Sequence, residues 1–113
     1  MILLKYYFVT VPGIAPVNVQ SQVLFSTSIN VSWEEIPFIR RNGIVILYEV
    51  LYEPQETFGG FIGPETMNTT NLYVILIGLQ EYVDYNIFVR ASTRVGFGPY
   101  SQQITNQTFQ DSE

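Results

Sequence analysis

The sequence predicts an all-β domain: seven antiparallel strands in two packed sheets. Three observations predict it. Short segments alternate apolar and polar residues, as in Ser28-Ile29-Asn30-Val31-Ser32-Trp33, which is the period of a half-buried strand. Gly, Pro and Asn punctuate the chain at short intervals. No segment repeats apolar residues with a helical period. With 113 residues, 47% hydrophobic and only 13% charged, the chain has the length of one domain and too apolar a composition for disorder.

The elements follow in order. Residues 1–11 form an N-terminal extension or linker, 12–109 the domain and 110–113 a C-terminal tail. Pro12-Gly13 and Pro16 mark the entry. Residues 17–24 are expected as strand A and 28–33 as strand B, with Ile29, Val31 and Trp33 sharing one face. A loop containing Pro37 ends at Asn42-Gly43 and leads into strand C at 44–53, rich in β-branched and aromatic residues. Pro54, Gly59-Gly60, Gly63 and Pro64 confine strand D to a short, irregular piece. Strand E is expected at 72–77, strand F at 85–93 and strand G at 100–108.

Composition excludes several functions. The chain has no cysteine and no histidine. Disulfides, thiolate metal sites, Cys-His pairs and Ser-His-Asp triads are therefore impossible. Glu34 and Glu35 are neighbours that a strand sends to opposite faces, and Glu81 and Asp84 suit loop hydrogen bonding. No catalytic, cofactor-binding or metal-binding residue emerges. The net charge of -5 and a total of five Lys and Arg argue against nucleic acid, which needs clustered cations. The apolar run MILLKYYFVTV is too short to cross a bilayer, so no direct membrane insertion is expected. As a signal peptide it lacks a clear cleavage site and is not evident as one; it reads instead as a remnant of a longer chain or a strand-like extension.

Spacing around strand F then points to a family. Leu79 and Tyr85 have the separation of a tyrosine corner, in which a buried phenol bonds back to backbone near the E–F loop. In order come Pro12 and Pro16, Ile29-x-Val31-x-Trp33, and Asn42-Gly43-Ile44 before Tyr48-x-Val50-x-Tyr52. Gly78-Leu79, Tyr85-x-x-x-Val89-x-Ala91 and Gly96-x-Gly98-Pro99-x-Ser101 complete the series. Residues 12–108 thus resemble a fibronectin type III domain, departing from its pattern at Glu81, where the family often has proline.

The resemblance implies an immunoglobulin-like β-sandwich with sheets A-B-E and C-D-F-G and a core of Trp33, Tyr48, Val50, Leu79, Tyr85, Ile87 and Val89. It further implies a non-catalytic protein-binding module of an extracellular or cell-surface protein, such as an adhesion molecule, matrix protein or receptor ectodomain. A structural spacer and an intracellular scaffold module are the alternatives. Partners would be other proteins or neighbouring modules of the same chain, with weak self-association conceivable. The Arg-Gly-Asp motif and the Trp-Ser-x-Trp-Ser signature are absent from the sequence.

Alternation singles out candidate contact residues. If Tyr48, Val50 and Tyr52 point inward, then Val45, Leu47 and Leu51 point outward, and Phe88 joins them from strand F. The strip is either an interaction surface or covered, by a neighbouring module, by residues 2–9, or through a register shift. Strand E would expose Tyr73, Ile75 and Ile77 if Leu72, Val74 and Leu76 fill the core. Loop tips at one pole would gather Arg40, Arg41 and Arg94, ready for an acidic partner or a sulfated glycan, or simply solvated and offset by Glu34 and Glu35. At the other pole, Phe58 and Phe61 flank Gly59-Gly60, either anchoring a partner or folding back. Three sequons, at Asn30, Asn68 and Asn106, are candidate N-glycosylation sites in a secreted chain; alternation points Asn30 outward, and Asn68 is expected in a loop.

Overall fold

In a computed structural model, describing residues 9–55 and 63–110, the chain forms two antiparallel sheets. The strands are β1 (Val17–Phe25), β2 (Ser28–Glu34), β3 (Leu47–Pro54), β4 (Glu65–Thr69), β5 (Tyr73–Leu76), β6 (Asp84–Thr93), β7 (Gly96–Phe97) and β8 (Ile104–Gln107). One sheet has the order β1-β2-β5; the other runs β4-β3-β6-β7, with β8 also paired to β6. This is the expected A-B-E and C-D-F-G arrangement. The Phe58–Phe61 tip lies outside the described residues.

The two inner faces meet in one core, as a sandwich requires. Cross-strand rows such as Tyr48–Ala91, Val50–Val89 and Tyr52–Ile87 face rows Ile29–Leu76 and Val31–Val74. Trp33, Tyr48, Val50, Leu79, Tyr85, Ile87 and Val89 are all buried there, together with Ile29, Val31 and Ile36. Trp33 packs against Tyr48 with ring centroids 5.4 Å apart and a tilt of 55°.

Local chemistry moves several boundaries from the expected ones. Strand C begins at Leu47 rather than residue 44, because Asn42-Gly43 turns with Asn42 at φ 59° and Gly43 at φ 148° before the chain settles onto β6. A Cβ at Gly43 would stand 2.7 Å from Val9 Cγ1, so side chains larger than hydrogen do not fit. Strand G is split in two. Pro99 has no N–H to donate, which interrupts the ladder, although Gly98 N bonds Ala91 O at 2.8 Å and Ser101 N bonds Val89 O at 2.7 Å. Strand D is regular over Glu65–Thr69, placing Asn68 on a strand and not in a loop.

Candidate functional site

The outer face of the five-stranded sheet carries the predicted strip, and the chain covers most of it itself. Register sets Leu47 opposite Ser92, Glu49 opposite Arg90 and Leu51 opposite Phe88. Leu47, Leu51 and Phe88 are half-buried. Val45 does not belong to this face: it packs against the core while Ile46 stands 53% exposed. Both precede the first residue of β3, so the strand's alternation does not extend to them. The expected outward position of Val45 is thereby corrected.

At the centre of the face lies a charged cluster. Glu49 is 9% exposed, and its Oε1 accepts Arg90 Nε at 2.8 Å and the Tyr100 hydroxyl at 2.6 Å. The Arg90 guanidinium lies over two rings, Phe97 at 4.0 Å and Tyr100 at 4.5 Å, and Phe88 meets Tyr100 edge-on at 6.1 Å. Desolvation alone would raise the Glu49 pKa. The hydrogen bonds from Tyr100 and Arg90, with the charge of Arg90, outweigh it and hold the carboxyl below its ordinary value. Burial and the facing carboxylate push the Tyr100 phenol up.

A depressed folded-state pKa means that the unfolded chain takes up the proton first as pH falls. The stability contributed by Glu49 is present above the ordinary carboxylate value of 4.5 and is lost as pH drops through the folded value. Urea midpoints measured between pH 7 and pH 3 should therefore fall less steeply for Glu49→Gln than for the parent chain. Equal slopes would show that the cluster does not hold the carboxylate ionised.

Sequence reasoning missed Phe97 and Tyr100 as members of this face. They come from the broken strand, where alternation assigns no side. The available signal was an outward Glu49–Arg90 pair on neighbouring strands, which needs a covering layer to be as dry as it is.

The loop pole is built differently from its expectation. Arg40 closes a short 3₁₀ turn, Phe38–Arg40. Arg41 is turned back, with Nε on Ile36 O at 2.6 Å and a terminal nitrogen on Glu35 at 2.8 Å. Arg94 is exposed at the turn between β6 and β7. Between these loops runs the incoming chain: Thr10 N bonds Asn42 O and Gly13 N bonds Arg40 O, each at 2.9 Å, and Thr93 Oγ1 donates to Thr10 O at 2.7 Å. The three arginines are therefore not one cluster; Arg41 is already paired, and Arg40 and Arg94 belong to separate loops.

Apolar side chains dominate this pole instead. Phe38 and Ile39 are each 83% exposed, Ile44 80% and Val95 55%. A cleft of about 290 Å³ opens beside Phe38 and Ile44, floored by Tyr48 and flanked by Glu35, Arg41 and Leu72. On the other sheet, Tyr73, Ile75 and Ile77 are exposed as alternation implies, and Leu72 is exposed with them instead of filling the core. Leu72 precedes β5 and follows the turn, so the strand's pleat does not reach it.

The three sequons have three different settings. Asn68 is exposed on the edge strand β4, opposite Glu49. Asn30 is half-buried on the central strand β2, between Gln22 and Ile75. Asn106 is engaged: its Nδ2 donates to Ser21 Oγ at 3.0 Å. Its sequon partner Thr108 is buried, accepting Val83 N at 3.0 Å and donating to Gln80 O at 2.7 Å. In the folded chain, both the Asn106 amide and the Thr108 hydroxyl are committed to other groups.

Among the described residues, no group of three or more acidic side chains converges on a metal-sized site, and no helix is long and apolar enough to cross a membrane. Comparison with known proteins adds the lineage. A family model described as "Fibronectin type III domain" matches residues 14–107. Protein sidekick-1 of Gallus gallus is 32% identical over 104 residues, covering 91% of this chain and 5% of its own length. Cell adhesion molecule DSCAM of Homo sapiens is 35% identical over 101 residues, 89% of this chain and 5% of its own. Tyrosine-protein phosphatase Lar of Drosophila melanogaster gives the same 35%, 89% and 5%. The chain thus spans about 5% of the length of these relatives. Among solved structures, the fn3 domain of human contactin 1 superposes with TM-score 0.78 at 27% identity, covering 92% of this chain and 84% of that one. The FN5 domain of Drosophila Lar superposes with TM-score 0.71 at 31% identity, covering 89% and 100%.

Proposed function

Because this chain belongs to the fibronectin type III family, we propose that it is a non-catalytic protein-binding module of a cell-surface adhesion molecule or receptor ectodomain, spanning residues 12–109. The relatives support that setting, since DSCAM is by name a cell adhesion molecule and the match is a small part of its length. One observation carries the choice of contact surface: Phe38 and Ile44, 83% and 80% exposed, line one cleft. Exposed apolar groups that lie together mark contacts more often than isolated ones. Glu35 and Arg41 flank that cleft, a polar edge beside an apolar centre, the usual anatomy of a protein interface.

A multimerised, fluorescent form of the chain tests this on intact cells. Binding should be saturable, abolished by protease treatment of the cells, and weakened by about tenfold or more in a Phe38→Ser, Ile39→Ser variant, the size of a hot-spot loss. Leu47→Ser, Phe88→Ser should leave binding in place. Unchanged binding in the loop variant, or no binding by the parent chain, would sink the proposal. A spacer role is the second reading. It is favoured by the way Phe97 and Tyr100 cover the outer strip, which leaves that face little free apolar surface of its own.

A further inference from the structure

We propose that Asn30 carries an N-linked glycan and that the glycan seats on the exposed apolar ladder of β5, on the outer face of the three-stranded sheet. This rests on the cell-surface reading, because only a chain entering the secretory pathway meets the transferase.

The argument starts from the sheet register. Asn30 pairs with Ile75 and Ser32 with Tyr73, so the two polar atoms of the Asn30-Val31-Ser32 sequon lie on one face, directly beside two apolar side chains. Tyr73 is 50% exposed and Ile75 43%. The intervening Val31 is fully buried, which fixes Asn30 and Ser32 outward. Among the described residues, the Asn30 amide makes no side-chain hydrogen bond, whereas the Asn106 amide is committed to Ser21. On the opposite side of Asn30 the register partner is Gln22, a polar neighbour with no need of cover. An attached sugar therefore has an apolar ledge on one flank only. The C–H faces of its first residues suit the ring of Tyr73, and its hydroxyls remain in water.

The attachment is a simple displacement. The Asn30 Nδ2 bonds to the anomeric carbon of an oligosaccharide carried on a polyprenyl diphosphate. The bond from that carbon to the diphosphate oxygen breaks, the polyprenyl diphosphate leaves, and the amide gives up one proton to base. No oxidation or reduction is involved.

Asn68 is more exposed than Asn30, but its setting differs. It stands on an edge strand opposite the carboxylate of Glu49, with no uncovered apolar pair in register beside it. A glycan there would project from the rim; a glycan on Asn30 would lie over surface that is otherwise bare.

The test uses the 113-residue chain secreted from a eukaryotic host behind a cleavable leader, as four forms: parent, Asn30→Gln, Tyr73→Ser and the double variant. Peptide mass spectrometry should find Asn30 occupied in most parent molecules. The parent should melt about 4 °C above Asn30→Gln, a loss of the size expected from one modest interaction in a domain this small. That gap should shrink by at least half in the Tyr73→Ser background. The same four chains made in bacteria, where no glycan is added, should show no dependence of the Asn30→Gln effect on Tyr73. An unoccupied Asn30 in the folded, secreted chain would overturn the proposal, and so would a melting gap that Tyr73→Ser leaves unchanged. Occupancy in the secreted chain, combined with none in protein from its native source, would overturn the cell-surface reading and leave the geometry standing.

Discussion

Trp33→Ala should lower the unfolding free energy by about 3–5 kcal/mol, the range for emptying a large aromatic site in a core. Trp33 is 4% exposed, ends the inner row of β2, and packs on Tyr48 across the sandwich at 5.4 Å. Its neighbours are held by two hydrogen-bonded sheets and have little freedom to collapse into the space left behind, which puts the cost at the upper part of that range. Domains of this size have about 5–15 kcal/mol in total, so the variant should unfold at a much lower urea concentration with a similar slope. Trp33→Phe should cost markedly less. It keeps an aromatic ring against Tyr48 and removes an indole N–H that has no hydrogen-bond partner among the described residues, a donor that is costly to bury. A near-equal loss for the two variants would mean that the six-membered ring alone contributes nothing at this position.

What was legible in the sequence is what a period of two can report. Ile29, Val31 and Trp33 on β2, or Tyr85, Ile87 and Val89 on β6, lie within long ladders where each residue has a fixed side, and all six are buried. The signal fails wherever the ladder does. Val45 and Ile46 precede β3 and exchange the sides that alternation assigns them. Leu72 precedes β5 and is exposed. Phe97 and Tyr100 flank Pro99 in the broken last strand, so their stacking on Arg90 had no pattern to announce it.

The candidate sites were harder still, because they depend on segments distant in sequence. The separation of Arg40 from Arg94 follows from Thr10–Gly13 threading between their loops, and the sequence places Thr10 and Val11 in an extension. The close passage that makes this possible rests on Gly98, where a Cβ would lie 2.5 Å from Pro12 O. Glycine at 98 is visible in the sequence; the backbone it must admit is not. The same holds for Asn106, whose sequon is intact on paper and engaged in space by Ser21, 85 positions away.

Tyr85→Phe should cost about 0.5–1.5 kcal/mol, the net contribution of one hydrogen bond. The Tyr85 ring is buried in the core, and its hydroxyl oxygen accepts the backbone N–H of Gln80 at 2.8 Å. Removing one oxygen leaves the packing of the ring untouched, so any loss reports the bond. The site is also braced from two other directions: Leu79 N bonds Thr27 O at 3.0 Å, and Thr108 Oγ1 donates to Gln80 O at 2.7 Å. The loop between β5 and β6 is thus tied at one point to the phenol, at another to the β1–β2 turn, and at a third to Thr108, just past β8. Gln80 is exposed, so water can satisfy the freed N–H and the cost should stay near that of one net hydrogen bond, about 1 kcal/mol. Burial raises the phenol pKa, against the smaller opposing effect of the Gln80 bond. A raised folded-state value gives stability that is present below the ordinary phenol pKa of 10.0 and is lost as pH rises through the folded value. The parent chain should therefore lose more stability than Tyr85→Phe between pH 9 and pH 11 in matched urea titrations. If the two lose stability equally over that interval, the Tyr85 phenol has the same pKa folded and unfolded, and burial in the corner does not raise it.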